Sequence, residues 1–134
     1  MFLGIDHTAI ASVNPARLAQ WYADHLEFQI VSENQGKYFI RAQNGTLLEI
    51  IPGKGEPASP DMTALGVRHF ALLVKDFEGA RDRLRRANLE FITDAITIPE
   101  LDLRVIFFRD LDGNILHLIQ RHASRTADKT DLSG

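Results

Sequence analysis

The sequence predicts an α+β fold built from two tandem modules, each running strand, helix, strand, strand, strand. Three observations carry this reading. Gly4-Ile5-Asp6-His7-Thr8-Ala9-Ile10 returns as Gly66-Val67-Arg68-His69-Phe70-Ala71-Leu72, an offset of 62 residues. Leu26-Glu27-Phe28 returns as Leu89-Glu90-Phe91, at an offset of 63. The stretch from Asn44 to Ile51 lies on the stretch from Asp112 to Ile119 at an offset of 68, so the second copy carries five extra residues in its middle hairpin.

The elements follow in order. Residues 3–10 alternate and are rich in Ile, Thr and Ala, as a half-buried strand is. Asn14-Pro15 supplies a helix N-cap followed by proline at the first helical position. Leu18, Trp21, Tyr22 and His25 then recur at helical spacing over 15–25. Strands are expected at 27–32, 37–42 and 46–51, with turns at Asn34-Gln35-Gly36 and Asn44-Gly45. Module one therefore spans 3–51. Pro52, Gly53, Gly55, Pro57, Ser59 and Pro60 mark 52–65 as a linker. Module two spans 66–121. Its first strand is 66–74, and Asp76 caps a helix with apolar positions Phe77, Ala80, Leu84 and Ala87. Arg81, Arg83, Arg85 and Arg86 read as its solvated face. Strands at 90–98, 102–109 and 114–120 follow, with the turn Asp110-Leu111-Asp112-Gly113 before the last. The tail 122–134 is polar and without periodicity, and is expected to be disordered.

Bulk properties exclude several function classes. A chain of 134 residues fits one compact domain. With 45% hydrophobic and 25% charged residues it can build a core without a structural metal or staple. It has no cysteine, so disulfides, thiolate metal sites and cysteine nucleophiles are out. A net charge of −3 gives no electrostatic footprint for nucleic acid. No apolar run reaches the ~20 residues of a membrane span. The N-terminus enters a strand pattern at once, which is not a signal peptide. The expected location is the cytoplasm.

The repeat also pairs chemistry. It places His7 with His69 in the first strands and Glu49 with His117 in the last. All four can bind a metal ion. Strand alternation sets Ile5, His7 and Ala9 on one face and Leu47, Glu49 and Ile51 on another. Val67, His69 and Ala71, and Ile115, His117 and Ile119, repeat the arrangement. A carboxylate among apolar neighbours is costly unless it is paired or coordinated. Three imidazoles and one carboxylate converging on one divalent ion would satisfy all four groups. His25 lies on the helix stripe and His122 opens the tail, so neither joins the set.

The chain resembles the vicinal oxygen chelate superfamily, which includes glyoxalase I, methylmalonyl-CoA epimerase, extradiol dioxygenases, fosfomycin-resistance transferases and bleomycin-resistance proteins. The likeness covers about residues 3–121. It rests on Ile5-Asp6-His7-Thr8-Ala9-Ile10, on Leu47-Leu48-Glu49-Ile50 after Asn44-Gly45, on Val67-Arg68-His69-Phe70-Ala71-Leu72, and on Asp110-Leu111-Asp112-Gly113-Asn114. The resemblance implies curved βαβββ modules whose sheets form a cup around the metal. The family commonly has Glu where this chain has His117, and that Glu often serves as base. Here Glu49 is the one carboxylate of the set, so it is expected to be the base in any proton transfer.

The resemblance implies bidentate chelation of a small-molecule substrate on a divalent ion. The ligand set suits Zn, Ni, Co or Fe, with Mn allowed. The leading expectation is a glyoxalase-I-like lyase or isomerase, with His7, His69 and His117 as ligands and Glu49 as ligand or base. The alternatives are a non-haem Fe(II) ring-cleaving dioxygenase and a drug- or metabolite-binding resistance protein without turnover. Arg41, Arg104 and Phe108 are candidates for substrate contact, with Tyr38, Phe39 and Phe107 as further lining. A homodimer is expected, and the modules could pair within one chain or across the dimer.

Overall fold

A computed structural model describes residues 1–121, and the tail read as disordered lies outside the described residues. The chain divides into two compact units between Pro57 and Ala58, inside the expected linker.

In the first unit, β1 (His7–Ser12) leads to α1 (Pro15–Leu26), followed by β2 (Gln29–Asn34), β3 (Lys37–Arg41) and β4 (Leu47–Pro52). The sheet order is β1-β4-β3-β2. β1 runs parallel to β4, and the other pairs are antiparallel. The parallel pair follows from the helical crossover. Asn14 caps α1 by accepting a hydrogen bond from the Arg17 amide, with Pro15 behind it. Leu18, Ala19 and Tyr22 bury one helix face, and Ile10, Ile40, Leu48 and Ile50 form the buried rows of the sheet.

The second unit repeats the plan with β5 (His69–Leu73), α2 (Phe77–Arg86), β6 (Ile96–Ile98), β7 (Leu103–Arg109) and β8 (Ile115–Arg121). Its order is β5-β8-β7-β6, with β5 parallel to β8. Asp76 caps α2 through the Gly79 amide, and Phe77 and Leu84 are its buried residues. The turn before β8 is pinned by buried Asp110, whose Oδ1 accepts from the Asp112 and Asn114 amides.

Three strand starts differ by three or more residues from the sequence reading. β1 and β5 begin at the histidines rather than at residues 3 and 66. His7 pairs with Leu47 and His69 with Ile115, the first residues of their partner strands, so the chain upstream has no ladder to join. Ile5 and Val67 are accordingly exposed, at 87% and 80%, and do not wall the histidines. The strand expected over 90–98 shrinks to Ile96–Ile98. Phe91 makes a lone bridge to Phe108, and Thr93 Oγ1 takes the Phe107 amide in place of a backbone carbonyl, so the ladder breaks there. On α2, Arg83, Arg85 and Arg86 are exposed as expected, while Arg81 is turned under, its side chain 23% exposed and paired with Glu78.

Candidate metal centre

Each sheet has one face under its helix and one face turned away from it. In β4 the buried Leu48 and Ile50 take the helix side, which leaves Leu47, Glu49 and Ile51 on the other. Glu49 lies opposite Phe39 of β3 and next to Ala9 of β1 in register. His7, Phe39 and Glu49 therefore share the face away from α1. His7 Nε2 stands 3.6 Å from Glu49 Oε1, and the His7 ring meets Phe39 edge-on at 5.1 Å. Both polar groups are partly open, His7 at 35% and Glu49 at 20%.

The second unit holds the repeat-equivalent trio on its corresponding face. His117 lies opposite Phe107 and next to Ala71. The His69 and His117 rings are 4.7 Å apart, and Phe107 contacts both, at 5.5 and 4.7 Å. The structure thus brings the four sequence-predicted ligands together as two pairs, one per unit. Among the described residues, no three His, Asp or Glu side chains are grouped in metal-holding positions.

The tautomers are set by neighbours. His117 Nδ1 lies 3.1 Å from the Leu118 carbonyl oxygen, which can only accept. Nδ1 therefore donates, and the lone pair of the neutral ring is on Nε2. His7 Nδ1 lies 2.8 Å from Asp6 Oδ2, with the same consequence. His7 Nε2 and a Glu49 carboxylate oxygen then face each other, an arrangement that a proton on the ring or a shared cation can satisfy. A carboxylate–histidine pair of this kind orients metal-binding imidazoles and raises their basicity. Asp6 escaped the sequence reading because neighbours on a strand point to opposite faces. It reaches the ring because it precedes β1. Its repeat counterpart is Arg68, which instead donates to the backbone carbonyls of Ser59, Asp61 and Val67, and that break in the repeat was the available signal.

Two of the substrate candidates are misplaced by the sequence reading. Phe108 is fully buried against Phe91 and lies on the opposite face of β7 from Phe107. Arg104 shares that helix-side face, donates to Glu78 at 2.7 Å and stacks on the Phe77 ring. In both cases period-two alternation sends the side chain into the α2 layer, away from His117. Arg41 is exposed on the Phe39 face of β3 and is the one candidate beside the histidine–glutamate pair.

Burial pushes the His117 pKa below its ordinary value of 6.5, the Leu118 carbonyl opposes the shift, and nearby His69 adds to it. The linkage has a definite sign. Above about pH 6.5 the ring is neutral folded and unfolded, and contributes nothing. Below it the unfolded chain takes up a proton that the folded chain refuses, so stability falls until the lower folded pKa is reached. In chelator, the urea midpoint of the wild type should drop more between pH 7.5 and pH 5 than that of His117→Asn. Equal drops would remove His117 as a cause.

The family model of the Glyoxalase/Bleomycin resistance protein/Dioxygenase superfamily matches residues 4–118. No curated protein matches the chain. Among solved structures, a glyoxalase/dioxygenase from Nostoc punctiforme is similar at 15% identity and TM-score 0.75, covering 89% of this chain and 91% of its own. A glyoxylase/bleomycin resistance protein/dioxygenase domain from Frankia sp. EAN1pec is similar at 21% identity and TM-score 0.71, with 90% and 93% covered. The protein described as oxidase ChaP-H2 is similar at 23% identity and TM-score 0.69, with 91% and 96% covered. These likenesses concern the fold, two βαβββ modules with four-stranded mixed sheets. Among the described residues no helix is long and apolar enough to cross a membrane. With the family match running over most of both modules, the chain belongs to the Glyoxalase/Bleomycin resistance protein/Dioxygenase superfamily.

Proposed function

We propose that His7, Glu49, His69 and His117 hold one divalent metal ion and that the protein is a glyoxalase-type lyase or isomerase acting by proton transfer. The observation that carries the reading is the His7–Glu49 pair. Two donors bound at ~2.1 Å to one ion stand about 3.0–3.4 Å apart for bond angles from 90° to tetrahedral. The pair is at 3.6 Å, with the Nε2 lone pair directed by the Asp6 hydrogen bond. The ring separation of His69 and His117, 4.7 Å, also suits two imidazoles on one ion, for which roughly 4.5–5 Å is needed. The donor set of nitrogen and oxygen fits Zn, Ni, Co or Fe, and Mn.

When bound, the metal would supply Lewis-acid polarisation of a substrate carbonyl. The chain supplies the rest. Glu49 accepts the proton alpha to that carbonyl and returns it to the neighbouring carbon. Asp6 holds the His7 ring through Nδ1. Phe39 and Phe107 pack against the histidine rings, fix their planes and limit water beside them. Exposed Arg41 offers a guanidinium to a substrate carboxylate.

The chain is inferred to work as a homodimer, a reading supported by the exposed Phe2, Leu3, Ile5, Leu65 and Val67, which nothing in the described chain covers. Sedimentation at micromolar concentration should give twice the chain mass. The functional test is turnover of a glutathione hemithioacetal by protein reconstituted with Zn, Ni, Co, Fe or Mn, with catechols under oxygen as the contrasting substrate. Metal-dependent isomerisation is expected. Oxygen uptake with catechol and no isomerisation would replace this reading with a dioxygenase, and specific ligand binding without turnover would replace it with a resistance-type binding protein.

A further inference from the structure

Most of the five residues that the second module has in excess lengthen its middle hairpin, which turns through 99–102 between Ile98 and Leu103 where the first module turns through Gln35-Gly36. The strand is also broken between Phe91 and Ile96, where a cleft of about 550 Å³ lies beside α2, on the helix side of the sheet. Phe91 and Ile106 form its apolar wall, and Arg81, Arg85, Thr93 and Asp94 supply its polar groups. At the corresponding place the first module has only a bulge between Ile30 and Ser32, and β2 runs on from Gln29 to Asn34.

The two helices align through their caps, Asn14 and Asp76. On that alignment Arg81 occupies the place of Ala19, which is fully buried, and Arg85 the place of Ala23. An arginine where the sister module seats a core alanine carries a desolvation cost that needs an acceptor to offset it. The acceptors present are incomplete. Glu78 takes the Arg81 Nη2 and is shared with Arg104. Arg81 Nε is buried and meets no acceptor among the described residues. Arg85 lies over the Phe91 ring at 5.8 Å, with one amino group 3.7 Å from Asp82. Arg85, over the Phe91 ring, and Arg81, one turn before it on the same helix face, both line the cleft and together offer guanidinium N–H groups suited to a carboxylate.

We propose that this cleft binds a small organic monocarboxylate whose apolar part rests on Phe91 and Ile106 and whose carboxylate takes the guanidinium groups of Arg81 and Arg85. Asp94 in the same lining disfavours multiply charged ligands, so a single carboxylate fits better than a polyphosphate. The site lies on the opposite side of the second sheet from His69 and His117 and does not depend on the metal reading.

The test is a titration of the full chain followed by the arginine Nε–Hε signals and backbone amides in proton–nitrogen NMR. Benzoate is the probe, with inorganic phosphate and benzyl alcohol as parallel arms. Benzoate should shift Arg81 Nε–Hε and the amides of Thr93 and Ala95 saturably, with neither other arm matching it. Arg81→Ala should fold, because the sister module carries alanine there, and should weaken benzoate at least about tenfold. Arg85→Gln, a change at an exposed position, should weaken it by a similar factor. No saturable shift, an unchanged affinity in both variants, or saturation by phosphate with benzoate silent would overturn the proposal.

Discussion

Glu49→Gln is expected to lower turnover of the hemithioacetal by about 10²- to 10⁴-fold, the usual worth of a positioned general base. The substitution keeps the shape and one acceptor oxygen and removes the basic carboxylate. The carboxylate is half-buried, and one oxygen stands near the His7 lone pair, which leaves the other for the proton. The repeat supplies no substitute, because the equivalent position holds His117, whose Nδ1 is committed to the Leu118 carbonyl. With the metal still bound in the variant, a loss of that size supports Glu49 as base. Undiminished turnover removes that role.

Phe108→Ala should cost about 3–5 kcal/mol of stability, as large-to-small changes at filled sites do. Phe108 is fully buried on the helix side of β7, with Phe91 at 6.4 Å. The neighbouring Phe107→Ala should cost clearly less, because its ring is only partly buried and contacts His69 and His117 rather than the helix layer. Urea midpoints of the two variants separate the core residue from the site residue. Equal costs would mean that the assignment of faces on β7 is wrong.

Much of the fold was legible because period and punctuation agreed. Asn14-Pro15 and Asp76 mark the helix starts, and the two turns before β4 and β8 set where β1 and β5 can pair. The ligand candidates were legible through the repeat, which compares positions rather than propensities. What stayed hidden depends on partners. The histidines begin their strands because the partner strands begin there, and a single-strand pattern over 3–10 carries no sign of that. Phe108 and Arg104 were read as pocket residues because aromatic and basic side chains in a strand do not reveal which face they take until one residue on the strand is anchored. Phe107 opposite His117 is that anchor. Thr93 interrupts the strand expected over 90–98 by a side-chain hydrogen bond that strand propensity does not register.

The proposal that His7, Glu49, His69 and His117 bind one divalent ion is tested most directly by metal stoichiometry. Elemental analysis of the reconstituted wild type should give one divalent ion per chain. His7→Ala, in the first unit, and His69→Ala, in the second, should each abolish that binding while leaving the chain folded. Retention of the full metal content in either variant, or two ions per chain each lost separately, would contradict the account.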